Sequence, residues 1–180
     1  IGNGFHPWGA ESRIYEHQIV NSNNSSKFLG NPELETNRLI LRKLNIEDAQ
    51  DVYEYAKNPY VAKYVAWEHH KSIEDTYSFI NSTIDRVNKD EAGDWGIQLK
   101  KNNKIIGSIG FVKLDTQNFC GEIGYVLSKD YWGRGIMTEA LKSVIDFAFN
   151  KMNLNRIEAV HFVENEKSGR VMQKVGMRYE

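Results

Sequence analysis

With 180 residues, 41% of them hydrophobic, the chain is long enough for one domain with a buried core. Its formal net charge of −1 gives no basis for a nucleic-acid surface, and no apolar run approaches the roughly 20 residues of a membrane span. The single cysteine, Cys120, excludes an internal disulfide and a cysteine-based metal site, so a reducing cytoplasm is the expected compartment.

Residues 1–35 read as an arm or linker outside the core, their first residues in part an expression remnant. Ile1-Gly2-Asn3-Gly4-Phe5 lacks the basic and apolar regions of a signal peptide. Asn21-Ser22-Asn23-Asn24-Ser25-Ser26 is polar and linker-like, and Gly30-Asn31-Pro32 punctuates the chain again. Ile14, Ile19 and Val20 form only a thin apolar pattern.

The core begins with a strand over Arg38–Leu44. Asn45 then caps a helix with apolar positions Ile46, Ala49, Val52, Tyr53 and Ala56, which Asn58-Pro59 ends. A second helix starts near Ser72, with Asp75 three residues on as a capping partner and Ile73, Tyr77, Ile80, Ile84 and Val87 on its stripe. The period then changes to two. Trp95, Ile97 and Leu99 alternate with Gly96, Gln98 and Lys100, Lys101–Lys104 turns, and Ile105–Val112 returns. After a turn at Asp115–Asn118 comes a third strand, Phe119–Leu127, so the three form an antiparallel meander.

A glycine-bearing turn, Asp130-Tyr131-Trp132-Gly133-Arg134-Gly135, leads directly into the strongest helical pattern of the chain, with Met137, Ala140, Leu141, Val144, Ile145, Ala148 and Met152 on one stripe. A helix start offers unpaired N–H groups and partial positive charge, which suit a phosphate, and glycine lets a ligand approach the main chain. Arg134 adds a cation. A strand over Arg156–Val163 follows and can lie parallel to Phe119–Leu127, because a helix links the two. A last helix begins after Asn165, carries Val171, Met172 and Val175, and stops at Gly176. The order is β-α-α-β-β-β-α-β-α.

Four segments in this order resemble the GNAT acyl-CoA-dependent N-acetyltransferases, and within them the RimJ/RimL-like ribosomal-protein N-terminal acetyltransferases. They are Thr36–Arg42, Gly121–Tyr125, Tyr131–Ala140, and Asn165–Ser168 with Lys174–Met177. The resemblance implies a mixed α/β fold: a mostly antiparallel sheet with a parallel, splayed strand pair and helices on both faces, over residues 36–180. It also implies C-terminal strands beyond Glu180, whose absence would leave a sheet edge open. Two departures stand out. Met137 sits where the family's loop usually has Gly or Ala, so it either crowds the coenzyme or points into the core. Met172 sits where many members carry a tyrosine general acid, seven residues after the asparagine.

The resemblance implies acetyl-CoA as co-substrate and no metal. Main-chain groups of Gly133, Arg134, Gly135, Ile136, Met137 and Thr138 are expected to hold its pyrophosphate, flanked by Trp132 and Asn165. Exposed backbone at Tyr125, Val126 and Leu127 would take the pantetheine arm as an added strand and supply an oxyanion donor. Glu122 is the first candidate for general base, acting through water, and reads otherwise as a surface carboxylate. His161 is the second and reads otherwise as a core histidine sharing a strand face with Ile157 and Ala159. Ser168 is the candidate general acid and reads otherwise as a polar first-turn residue. Asn165 suits an N-cap and a coenzyme ligand equally. Cys120 has no activating neighbour in sequence, and His69-His70 lacks a partner at metal-ligand spacing. Tyr64 and Trp67 are expected at an acceptor cleft, Trp95 in the core. The expected acceptor is the α-amine of a protein or peptide. A small-molecule amine and a non-enzymatic acyl-CoA-binding module are the alternatives, and a homodimer stays open.

Overall fold

The computed structural model describes residues 11–17, 30–89 and 91–179, the first of these by its backbone only. The strands are β1 (Glu11–His17), β2 (Leu34–Glu35), β3 (Leu39–Lys43), β4 (Asp94–Leu99), β5 (Ile105–Asp115), β6 (Cys120–Leu127), β7 (Arg156–Phe162) and β8 (Arg178–Tyr179). The helices are α1 (Ala49–Ala56), α2 (Pro59–Ala62), α3 (Ile73–Asn88), α4 (Ile136–Asn150) and α5 (Glu166–Lys174). The expected order of elements is present, with β1, β2, α2 and β8 added to it. The strands form one sheet in the order β2-β3-β4-β5-β6-β7-β1-β8. Neighbours are antiparallel except β6 and β7, which run parallel.

Two helical layers cover the sheet. The 3.6-residue stripe of α4 buries Met137, Ala140, Leu141, Val144, Ile145 and Ala148 among Trp95, Ile97, Phe111, Ile123, Ile157 and Ala159. Trp95 is fully buried and meets Phe147 edge to face at 5.8 Å, while its indole N–H donates to the Pro32 carbonyl at 2.7 Å. Trp95 is therefore a core residue, as expected. On the other side α1 and α3 pack Val52, Tyr55, Ala56 and Ile80 against Leu44 and Ile105. The Asp75 carboxylate accepts the Ser72 and Lys71 N–H groups at the start of α3. Arg42 grips Asp48 with both terminal guanidinium nitrogens, at 2.8 and 2.7 Å, and so ties β3 to the turn entering α1. No described helix is long and apolar enough to cross a membrane.

Residues 1–35, expected to lie outside the core, contribute two strands to the sheet. β2 pairs with β3 through Leu34↔Leu41 and Glu35↔Ile40. β1 runs antiparallel between β7 and β8, in register from Glu11↔Phe162 to His17↔Arg156. The outer edge of β7 is thus covered from within the chain. Main-chain pairing demands little of side-chain pattern, which is why a segment with so thin an apolar signal can supply it.

Ile14 pairs with Ala159 on one side and Tyr179 on the other, so proline there removes a ladder donor and clashes within the sheet. Ile14→Pro is expected to cost on the order of 1–3 kcal/mol and lower Tm by several degrees in a thermal melt. An unchanged Tm would show that this strand does not hold the β7 edge.

Candidate functional site

The site is built on a divergence. β6 and β7 pair only from Cys120↔Arg156 to Ile123↔Ala159, although β6 continues to Leu127 and β7 to Phe162. Beyond Ile123 the two strands separate. Tyr125, Val126 and Leu127, the residues expected to offer main chain to a ligand, lie on the β6 side of the gap. The Leu127 carbonyl is already engaged, because it accepts the Trp132 indole N–H at 2.8 Å. Trp132 thus ties the glycine turn back onto the strand that precedes it.

The turn then delivers α4. Gly133 and Gly135 both have φ of +73°, and Gly135 is the N-cap of the helix. A Cβ at Gly133 would meet nothing within 4 Å, so backbone conformation, not crowding, calls for glycine there. Ile136, Met137 and Thr138 follow as the first helical residues, whose N–H groups have no intrahelical partner. Met137 is 5% exposed and belongs to the core, so of its two expected placements it takes the inward one.

A brace behind this loop joins two of the segments that carry the family resemblance, through side chains for which the sequence suggested no role. Glu139, in the first turn of α4, accepts from the Thr36 hydroxyl at 2.6 Å, the Arg38 N–H at 2.8 Å and the Arg38 Nε at 2.7 Å. Arg38 Nη1 in turn donates to the Arg134 carbonyl at 2.9 Å. Burial alone would raise the Glu139 pKa, but the Thr36 hydroxyl and the Arg38 donors outweigh it and hold the carboxyl below the usual carboxylate range. Lys167, at the start of α5, lies 5.1 Å from the centre of the Trp132 ring and places a cation beside the same turn.

The candidate catalytic residues fall on different faces. Glu122 carries an ion pair to Lys113 at 3.1 Å. Cys120 lies near Glu158, its Sγ 3.6 Å from the carboxylate, and burial with that neighbour pushes its thiol up to about 11. It is therefore a protonated, weak nucleophile near neutral pH. His161 sits beneath α5, where a Cβ on Gly169 would come within 2.8 Å of its Nε2. Its Nδ1 lies 2.8 Å from the Phe162 carbonyl, which makes Nδ1 the donor. Ser168 is in the first turn of α5, where Asn165 Oδ1 caps the helix by accepting the Ser168 N–H at 3.3 Å. The Tyr125 hydroxyl lies 2.9 Å from Ser168 Oγ and so bridges β6 to α5. Met172, at the position of the family's tyrosine, is 1% exposed.

An open groove of about 690 Å³ lies beside the splayed ends, between the segment after α1 and the last residue of β7. Trp67, Phe162, Pro59, Lys63 and Glu68 line it. Of the aromatics expected at the cleft, Trp67 lines the groove, while Tyr64 packs on its Phe162 wall at 5.8 Å. His70 turns away from it: Nδ1 meets the Thr76 hydroxyl at 2.8 Å, and burial lowers its pKa.

Comparison with known proteins matches residues 38–178 to a family model described as Acetyltransferase (GNAT) domain. The Bacillus subtilis protein named uncharacterized N-acetyltransferase YoaA is 34% identical over 149 residues, covering 83% of this chain and 84% of its own length. The crystal structure of a GNAT-family acetyltransferase from Bacillus anthracis superposes with a TM-score of 0.73 at 31% identity, over 82% of this chain and 84% of that one. RimL, a ribosomal L7/L12 alpha-N-protein acetyltransferase solved with coenzyme A, has the same fold with a TM-score of 0.73 at 20% identity, over 81% and 83%.

Glu139→Gln removes the charge that holds both Arg38 and Thr36. It is expected to weaken coenzyme A binding by about three- to tenfold in calorimetry, with the fold retained. Because the Glu139 pKa is depressed on folding, the brace stabilises the native state at neutral pH and is lost as pH falls through the acid carboxylate range. The variant should therefore match the wild type in relative stability at acid pH and fall behind it at neutral pH.

Proposed function

The chain belongs to the GNAT acetyltransferase family, and from that premise we propose that this acyl-CoA-dependent N-acetyltransferase moves acetyl to the α-amine of a protein or peptide. The observation that carries the choice of acceptor is the groove beside the splayed strands. It is open, and its aromatic and mixed-charge walls suit an extended chain end better than a small enclosed amine. The chemistry points the same way. An α-amino group near pKa 8 loses its proton at pH 7 for about 1.4 kcal/mol, against roughly 4–5 kcal/mol for a lysine side chain. Among the structural relatives, RimL is named for acetylating such an α-amine.

In this reading residues 36–180 carry the acetyltransferase machinery, and β1 and β2 from residues 1–35 complete its sheet. The N–H groups from Gly133 to Thr138 hold the pyrophosphate of acetyl-CoA at the start of α4, with Trp132 and Asn165 at the edges of the site. The main chain of Tyr125 and Val126 orients the pantetheine arm in the gap between β6 and β7. One of its N–H groups holds the tetrahedral oxyanion. Glu122 takes the amine proton through water as nitrogen attacks the thioester carbon, with His161 as the second candidate base. The C–S bond then breaks, and Ser168 donates a hydrogen bond to the departing sulfur. A thiol of pKa near 8.5 leaves readily, so the last role adds modestly to the rate.

Three measurements bear on this. In thiol-release assays, peptides with free N-termini should turn over faster than polyamines or amino acids; the reverse ranking would assign the site to small amines, and binding without turnover on either panel would make the protein an acyl-CoA-binding module. Gly135→Glu, which strains a positive φ and puts a carboxylate in the anion site, should lower acetyl-CoA affinity at least tenfold. Glu122→Gln should slow transfer most at acidic pH, where the amine is most protonated; an unchanged pH profile would move the base to His161.

A further inference from the structure

Tyr125 leaves β6 two residues beyond the last pair with β7, on the face that packs against the α4 core, and its hydroxyl ends at α5. Tyr125 Oη lies 2.9 Å from Ser168 Oγ and 3.1 Å from the Ser168 carbonyl oxygen. A phenol has one proton, and a carbonyl can only accept, so one arrangement satisfies both contacts and a second satisfies the Oγ contact alone. When the phenol donates to the carbonyl, Ser168 Oγ–H donates back to Tyr125 Oη, and the serine proton is used up. When the phenol turns its proton to Ser168 Oγ, it gives up the carbonyl, and the serine proton is released to point away from Tyr125. The Ser168 N–H is already held by the Asn165 carbonyl at 3.0 Å and by Asn165 Oδ1. With the backbone fixed in this way, the rotation of Oγ–H is the freedom that remains, and Tyr125 governs it.

We propose that Tyr125 is a positioning residue for acyl transfer, which by turning its proton from the Ser168 carbonyl to Ser168 Oγ aims the serine proton at the sulfur of departing coenzyme A. The proposal rests on the role given to Ser168 above. The position one turn further along α5 cannot substitute, since Met172 has no hydroxyl and is buried. Burial raises the phenol's pKa, so Tyr125 remains a donor throughout the neutral range. The step balances without moving a proton off Tyr125. The amine nitrogen bonds to the acetyl carbon, the C–S bond breaks with its electron pair going to sulfur, and the amine proton leaves through Glu122 and water. Ser168 stabilises the thiolate by hydrogen bonding, and solvent later protonates it.

The test needs no acceptor. The thiol pKa of bound coenzyme A is read from the ultraviolet absorbance of its thiolate in the wild type, Tyr125→Phe, Ser168→Ala and the double variant. A donor aimed at sulfur lowers that pKa, so Tyr125→Phe should raise it by about half to one unit. Ser168→Ala should raise it at least as much, and Tyr125→Phe should add little in the Ser168→Ala background. With a peptide acceptor, Tyr125→Phe should lower kcat up to about tenfold and leave KM for acetyl-CoA unchanged. Coenzyme A bound with the same thiol pKa in wild type and Tyr125→Phe overturns the proposal, and so does an equal shift in the Ser168→Ala background. If Tyr125→Phe does not fold, 3-fluorotyrosine at position 125 preserves the packing while strengthening the donor. It must then lower the bound thiol pKa, and no change counts against the proposal. A wild type that binds no coenzyme A sinks the functional reading and this proposal together, whereas bound coenzyme A with an unmoved thiol sinks this proposal alone.

Discussion

Two parallel strands that stop pairing after Ile123 and Ala159 create the constraint around which the rest of the molecule is arranged. Main-chain N–H and C=O groups in an interior must find partners, so a gap in a sheet is costly unless the strands beside it are held elsewhere. Here each is. β6 stays paired to β5 up to Leu127, and β7 stays paired to β1 up to Phe162. Across the gap, the Tyr125 phenol reaches α5 and the Trp132 indole closes on Leu127. The opening is therefore a product of the fold itself and does not require a ligand to wedge it apart.

The start of α4 faces a conflict that the brace resolves. A carboxylate in the first turn of a helix favours the helix through the macrodipole, yet it would repel an incoming pyrophosphate. Glu139 is such a carboxylate. Arg38 and Thr36 together take its oxygens, so its charge is compensated by a guanidinium that itself lies against the glycine turn. Arg38 also draws in the Arg134 carbonyl. A single side chain thereby neutralises the acid and occupies a main-chain acceptor of the loop, leaving the positive end of the helix for an anion.

Much of the fold was legible because its signals are local. The alternation at Trp95–Leu99 and the helical stripe from Met137 to Met152 each fix an element within a few residues. The two glycines announced a turn whose positive φ values explain them. Even Met137, ambiguous by comparison with a family pattern, is settled by its own periodicity, because it shares a face with Ala140, Leu141 and Val144. What was not legible depends on partners far apart in sequence. The Arg38–Glu139 bond joins residues 101 positions apart, and although each lies in a segment that resembles the family, nothing in either segment marks the other as its partner. The Tyr125–Ser168 contact likewise crosses 43 positions, and Tyr125 was anticipated only for its backbone. β1 escaped notice for a further reason: its contribution is main-chain pairing between two other strands, which leaves little mark on side-chain pattern.

The position of β1 also bears on the order in which the molecule can assemble. Its partners Arg156–Phe162 and Arg178–Tyr179 lie at the opposite end of the chain. During synthesis, β1 emerges before β7 and β8 and cannot dock until both have been made. Closing so long a loop costs entropy that grows slowly with length, but non-local pairings of this kind slow folding steeply. The β3–β6 meander and its helices can form without β1, while the edge of β7 stays exposed until β1 docks on it. A strand made before both of its partners thus finds its place only after they have found theirs.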